Sequence, residues 1–212
     1  MKKIFALVLT IFAVMIAGCG DTPTKQENPK PTPTVEKKSD NKILIAYFSR
    51  AGDNYEVGVI EKGNTAIVAE MIADVTGGDL FEIKPAKDYP ADYTECTEVA
   101  KAELQNNARP EIANRVENFS DYDTIFLGYP NWWGNLPMII CTFLESYDFN
   151  GKKIIPFCTA SANSLTGKEI DIPTYAKGAV IQTGIGIRGK RCQDEPEEVR
   201  AEVMQWLSDL DF

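Results

Sequence analysis

Three short apolar runs constrain this chain most: Lys42-Ile-Leu-Ile-Ala-Tyr-Phe-Ser49, Thr124-Ile-Phe-Leu127 and Ile154-Ile-Pro-Phe-Cys158. None alternates apolar with polar residues, so each predicts a strand buried on both faces, as in a parallel sheet covered by helices. Pro156 is the one residue that sits awkwardly in such a strand. Leu80–Lys84 and Ala179–Ile187 add two further strands. The segments between carry helical spacing. Ile67, Val68, Met71, Ile72 and Val75 share one face behind Gly63-Asn64-Thr65, and Gly77-Gly78 stops that helix. A second helix spans about Thr94 to Asn107, its acidic residues forming a solvated face. A third begins near Met138, with Asn135 as cap and Pro137 in the first turn. Pro196–Leu207 closes the chain as an amphipathic helix with acids in its first turn. Strands alternating with helices give an α/β fold with a parallel sheet and helices on both faces.

The front of the chain reads as an address. Met1-Lys-Lys precedes an apolar run from Ile4 to Ala17 that is too short to span a bilayer comfortably, and small residues follow it. Ile16-Ala-Gly-Cys19 resembles the bacterial lipobox, which implies a signal peptide over 1–18 and a diacylglycerol-modified Cys19. Residues 19–40 are poor in apolar side chains and contain repeated Pro and Thr, so they predict an extended tether reaching roughly 60 Å at about 3.1 Å per residue. The folded domain is expected over 41–212, placed outside the cytoplasm and anchored to the membrane by lipid.

The net charge of −9 provides no basic field for phosphate backbones, which argues against nucleic acid as a partner. The sequence has no histidine, so Ser49 and Ser161 lack the usual base and do not read as nucleophiles. Its five cysteines lie at no metal-ligand spacing, and no metal site is expected. Cys141 and Cys158 read as core residues, while Cys96 and Cys192 are open to being free or paired.

Three strand ends carry unusual loops. Gly63-Asn64-Thr65 places a helix N-terminus after the first strand, an arrangement that binds phosphate through backbone N–H groups. Pro130-Asn-Trp-Trp-Gly134 puts two indoles between a strand and a helix. Thr159-Ala-Ser161 opens a run of small residues after the fourth strand. Gly184-Ile-Gly-Ile-Arg-Gly189 fits a dinucleotide pattern, but Lys190–Glu195 is not expected to start a helix and no βαβ unit follows.

With Tyr47-Phe-Ser-Arg50, Gly128-Tyr-Pro-Asn-Trp-Trp-Gly134 and Pro156-Phe-Cys-Thr-Ala-Ser161 in this order, the sequence resembles the flavodoxin family from about Asn41 to Phe212. The resemblance implies a three-layer sandwich on a five-stranded parallel sheet of order 2-1-3-4-5, with FMN as cofactor. It implies that Ser49, Arg50, Asn64 and Thr65 hold the phosphate. Pro130, Asn131, Trp132, Trp133 and Gly134 would flank the flavin, and Thr159, Ala160 and Ser161 would line its other side. An acidic, apolar-walled pocket would then lower the flavin potential. The family's phosphate loop is compact, whereas Ala51–Lys62 interrupts it here, and Ala160 and Ala162 stand where glycines are common. The span before the fifth strand suggests a reduced helix. The expected activity is electron transfer with an unidentified redox protein. An FMN-dependent NAD(P)H:quinone-type oxidoreductase with a quinone-like acceptor is the alternative, and a flavin-free surface-binding lipoprotein is a third reading.

Overall fold

In the computed structural model, residues 42–165 and 169–212 are described. The expected signal peptide, Cys19 and the tether lie outside the described residues. The main sheet contains β1 (Lys42–Tyr47), β4 (Asp79–Glu82), β5 (Tyr122–Pro130), β6 (Lys153–Ala160), β7 (Val180–Ile181) and β8 (Ile185–Arg188). Its order is β4-β1-β5-β6, with β7 and β8 sharing the far edge of β6, and every pairing is parallel. With β7 and β8 taken as one interrupted strand, this is the expected order 2-1-3-4-5.

The missing alternation has a direct cause in the pleat, because successive side chains enter opposite layers. Leu44, Ala46, Ile125, Leu127 and Tyr129 join one core, while Ile45, Tyr47, Phe126, Ile155 and Phe157 join the other. The first core packs under α3 (Met138–Glu145), whose Ile139, Ile140, Phe143 and Leu144 are fully buried. The second packs under α1 (Asn64–Thr76) and α6 (Pro196–Asp209) through Val68, Ile72, Val199, Val203 and Leu207. Each such side chain contributes about 1.5–3 kcal/mol on burial, so the two layers hold the sheet rigid beneath its loops. No helix among the described residues is long and apolar enough to cross a membrane.

Helix α1 stops where expected, with Gly77 left-handed and its N–H bonded to the Ala73 carbonyl. Helix α2 covers Tyr93–Gln105, opening one residue earlier than predicted because the Asp92 carboxylate accepts from the Glu95 N–H. Helix α3 is preceded by Pro137 and not capped by Asn135, which instead closes the tryptophan turn. As the short span suggested, the segment before the sheet edge holds only a turn of 3-10 helix and the four-residue α4 (Ile172–Tyr175).

Three expectations need correction. Ala51–Lys62, read from the sequence as a loop interrupting the phosphate loop, contains a hairpin of β2 (Gly52–Asn54) and β3 (Gly58–Ile60). The fifth strand is broken at 182–184, where Gly184 packs against Pro156, a residue with no N–H to offer a neighbouring strand. Gly189–Asp194 does form a helix, α5, and its buried Cys192 joins the second core. Cys96, Cys141, Cys158 and Cys192 are all buried and free, so Cys96 and Cys192 do not pair.

Candidate functional site

Ser49, Arg50, Asn64, Thr65, Pro130, Asn131, Trp132, Trp133, Gly134, Thr159, Ala160 and Ser161 all line one cavity of about 560 Å³. It lies at the carboxyl ends of β1, β5 and β6, where open α/β sheets place their ligands. Further walls come from segments the sequence did not mark as part of a site: Tyr93, Cys96, Thr97 and Ala100 on α2, Asn54–Glu56 at the hairpin tip, and Gly189 and Lys190 at the start of α5. The α2 wall has a signal that was open to reading, since 93, 96, 97 and 100 fall on one helical stripe of mostly small side chains.

The first loop is built around a close approach. A Cβ on Gly63 would run into Ser49 Oγ and the Arg50 carbonyl, so only glycine lets the chain fold back here. Ser49 Oγ accepts from the Ala66 N–H at 3.0 Å and thereby caps α1 from a distance. Thr65 is buried, its hydroxyl 2.7 Å from that of Thr159, which ties the first loop to the third. Asn64 Oδ1 accepts from Gln193 Nε2 at 2.8 Å. The Arg50 guanidinium donates to the carbonyls of Pro90, Ala91 and Asp53. These side chains are therefore already engaged within the protein. What the loop can offer an anion is the backbone N–H groups of the first helical turn ahead of Ala66, beside the Arg50 guanidinium.

The second loop separates its two tryptophans. Trp132 and Asn135 exchange backbone hydrogen bonds at 3.2 and 3.0 Å, and Trp133 (φ 56°) and Gly134 (φ 71°) occupy the two left-handed positions of the tight turn between them. A bulky residue in that conformation is strained by about 1–2 kcal/mol. Trp133 is 52% exposed, and its Nε1–H donates to the Thr97 carbonyl at 2.9 Å, with the Lys101 ammonium 5.1 Å from the ring. Trp132 is half-buried and meets Phe48 and Tyr89 edge-on at 5.3 and 4.9 Å. The Asn131 N–H bonds to the Thr159 carbonyl at 2.8 Å, while Asn131 Oδ1 is buried without a hydrogen-bond partner among the described residues. An acceptor left so costs about 1–3 kcal/mol, a cost that a donor on a bound ligand would remove.

Behind Trp132, the Tyr89 hydroxyl donates to Glu103 Oε2 at 2.9 Å, and burial holds the Glu103 carboxyl above its ordinary value. Folding therefore takes up a proton between the unfolded glutamate pKa and the raised folded one, so stability falls as pH rises through that window. Glu103→Gln should flatten that limb in thermal melts recorded across mildly acidic pH. An unchanged slope would show that Glu103 titrates normally.

The cavity is not the acidic pocket expected from the net charge. Among the described residues its charged lining groups are Arg50, Glu56 and Lys190. Glu56 is paired with Arg188 at 2.8 Å, and Lys190 with Asp194 at 2.6 Å. Chain-wide acidity thus sits elsewhere, and the polar end of the cavity carries a modest positive excess. Burial pushes the Cys96 thiol and the Tyr93 hydroxyl upward, so neither presents a ready nucleophile.

A family model described as Flavodoxin matches residues 42–203. Among solved structures, a candidate flavoprotein from Bacteroides uniformis is 30% identical, with a TM-score of 0.61, over 79% of this chain and 98% of that one. A candidate flavoprotein from Bacteroides eggerthii is 28% identical, with a TM-score of 0.63, over 82% and 99%. A flavoprotein from Lactobacillus acidophilus, crystallised in complex with FMN, shares the fold at 22% identity and a TM-score of 0.54, over 73% and 97%. No curated protein matches.

Proposed function

The chain belongs to the flavodoxin family, and from that premise we propose that it binds FMN in this cavity and transfers electrons outside the cytoplasmic membrane. The observation that carries the proposal is the buried Asn131 Oδ1, without a hydrogen-bond partner among the described residues, in a cavity lined by three loops and two indoles. A flavin's pyrimidine edge carries the N–H donor that such an acceptor lacks. The cavity volume of about 560 Å³ also falls within the range of about 300–1,000 Å³ usual for cofactor-sized ligands.

The flavin, when bound, supplies the chemistry of accepting and releasing electrons. The protein's part is to hold and orient it. Asn131 would accept from the ring edge, the indole of Trp132 would wall the site against movement, and the main chain of Thr159–Ser161 would hold the ring from the third loop. The first turn of α1 would hold the phosphate, with Arg50 adding charge, while Lys190 stays paired with Asp194. Trp133, tied to the Thr97 carbonyl of α2, would wall the site on that side. The domain over 41–212 hangs from residues 19–40, with acyl chains on Cys19 as the anchor. The Ile16-Ala-Gly-Cys19 motif directly behind an apolar run supports that placement.

Titration of FMN into the purified chain tests the core of this reading. Saturable quenching of both tryptophan and flavin emission at one equivalent is expected. A chain that leaves FMN emission unchanged at micromolar concentration would refute flavin binding.

A further inference from the structure

We propose that the hairpin Gly52–Ile60, latched by Glu56 to Arg188, makes the site select a flavin mononucleotide over a flavin dinucleotide. The inference rests on the FMN reading above and assigns the residues that set its specificity. The hairpin is inserted between Arg50 and Gly63, so both of its feet stand at the polar end of the cavity. One side is pinned to the segment before α2, where the Asp53 N–H bonds to the Ala91 carbonyl at 2.9 Å and Arg50 grips Pro90 and Ala91. The other foot is held to α5 by Gln193 Nε2, which donates to the Lys62 carbonyl at 3.0 Å.

The tip then crosses the cavity's end. Arg188 contacts Glu56 Oε2 through Nη2 at 2.8 Å and Nε at 3.2 Å, which joins the hairpin to the strand that leads into α5. On the opposite side Tyr55 meets Tyr93 of α2, with ring centroids 6.1 Å apart. The end where a phosphate would sit is thus bounded by α1, α2, the hairpin and the start of α5. A phosphate monoester terminates there. A dinucleotide must continue through a pyrophosphate to a second nucleoside, and its path leads through the Glu56–Arg188 contact or the tyrosine pair. Both are partly exposed and neither belongs to the two cores, so opening them does not require unfolding.

The test compares wild type with Arg188→Ala and with a double variant, Tyr55→Gly and Glu56→Gly, each checked for folding by circular dichroism. FMN and FAD are titrated separately into the full chain by fluorescence, and the ratio of the two dissociation constants is read. In wild type, FAD should bind at least about a hundredfold more weakly than FMN, and the ratio should fall about tenfold or more in each variant. A wild type that binds both alike overturns the strap and leaves FMN binding intact. A ratio unchanged in the folded variants also overturns it, and either variant alone decides if the other fails to fold. Wild type that binds neither flavin refutes the FMN reading itself, and the strap with it.

Discussion

Trp132→Ala is expected to lower the melting temperature and weaken FMN binding together, whereas Trp133→Asn should leave stability nearly unchanged. The two indoles are neighbours in sequence but not in environment. Trp132 packs edge-on to Phe48 and Tyr89 and is half-buried, so its removal leaves a cavity against the first core. For a partly buried indole this costs about 2 kcal/mol, or about 5 °C in a domain of this size. The same truncation removes a wall of the flavin site, with an expected loss of about 10–100-fold in affinity, as for aromatic stacking on a base. Trp133 holds a left-handed backbone that asparagine tolerates better, and this gain offsets the lost hydrogen bond to Thr97 within about 1 kcal/mol. Circular dichroism melts and FMN titrations on both variants check the pair. Equal behaviour of the two would mean that the turn, and not the individual ring, sets both properties.

Gly128→Ala should be a strongly disruptive small substitution in the sheet. Gly128 of β5 lies in register with Phe157 of β6, and a Cβ there would overlap the fully buried Phe157 ring. Overpacking of this kind costs about 1–3 kcal/mol. The strand also leads directly into Pro130 and Asn131, so displacement at Gly128 would reach the ligand loop. Combining it with Phe157→Leu should recover much of the loss, since the smaller side chain vacates the space. Urea titration of the two single variants and the double variant measures the coupling, expected to exceed about 1 kcal/mol. Strict additivity would show that the methyl is accommodated elsewhere.

The sequence made the layered architecture legible because the strands of a doubly covered sheet cannot alternate, and Lys42–Tyr47, Tyr122–Pro130 and Lys153–Ala160 do not. The three loops were legible because Gly63, the Trp pair and the run from Thr159 have no role inside a strand or helix. The strand order came from the family resemblance, since apolar runs alone do not say which strands are neighbours. The hairpin was illegible for a local reason. Its strands, Gly-Asp-Asn and Gly-Val-Ile, are three residues each and pair mainly with one another, too short for any periodicity to develop. The α2 wall was hidden by the acids on its other face, and α5 by a glycine start that matches a dinucleotide motif. The engagement of Asn64, Thr65 and Arg50 with protein partners depends on residues 129, 94 and 40–41 positions away, beyond any local pattern.

The four buried thiols have a further use. Cys96, Cys141, Cys158 and Cys192 stand in α2, α3, β6 and α5, one to an element, and folding shields each from solvent. Alkylating reagents can reach a thiol only when its element opens, so the rate at which each is modified becomes a clock for that element alone. The native chain thus carries its own distributed set of opening sensors, covering the wall of the site, both faces of the sheet and its interior, with no residue needing to be introduced.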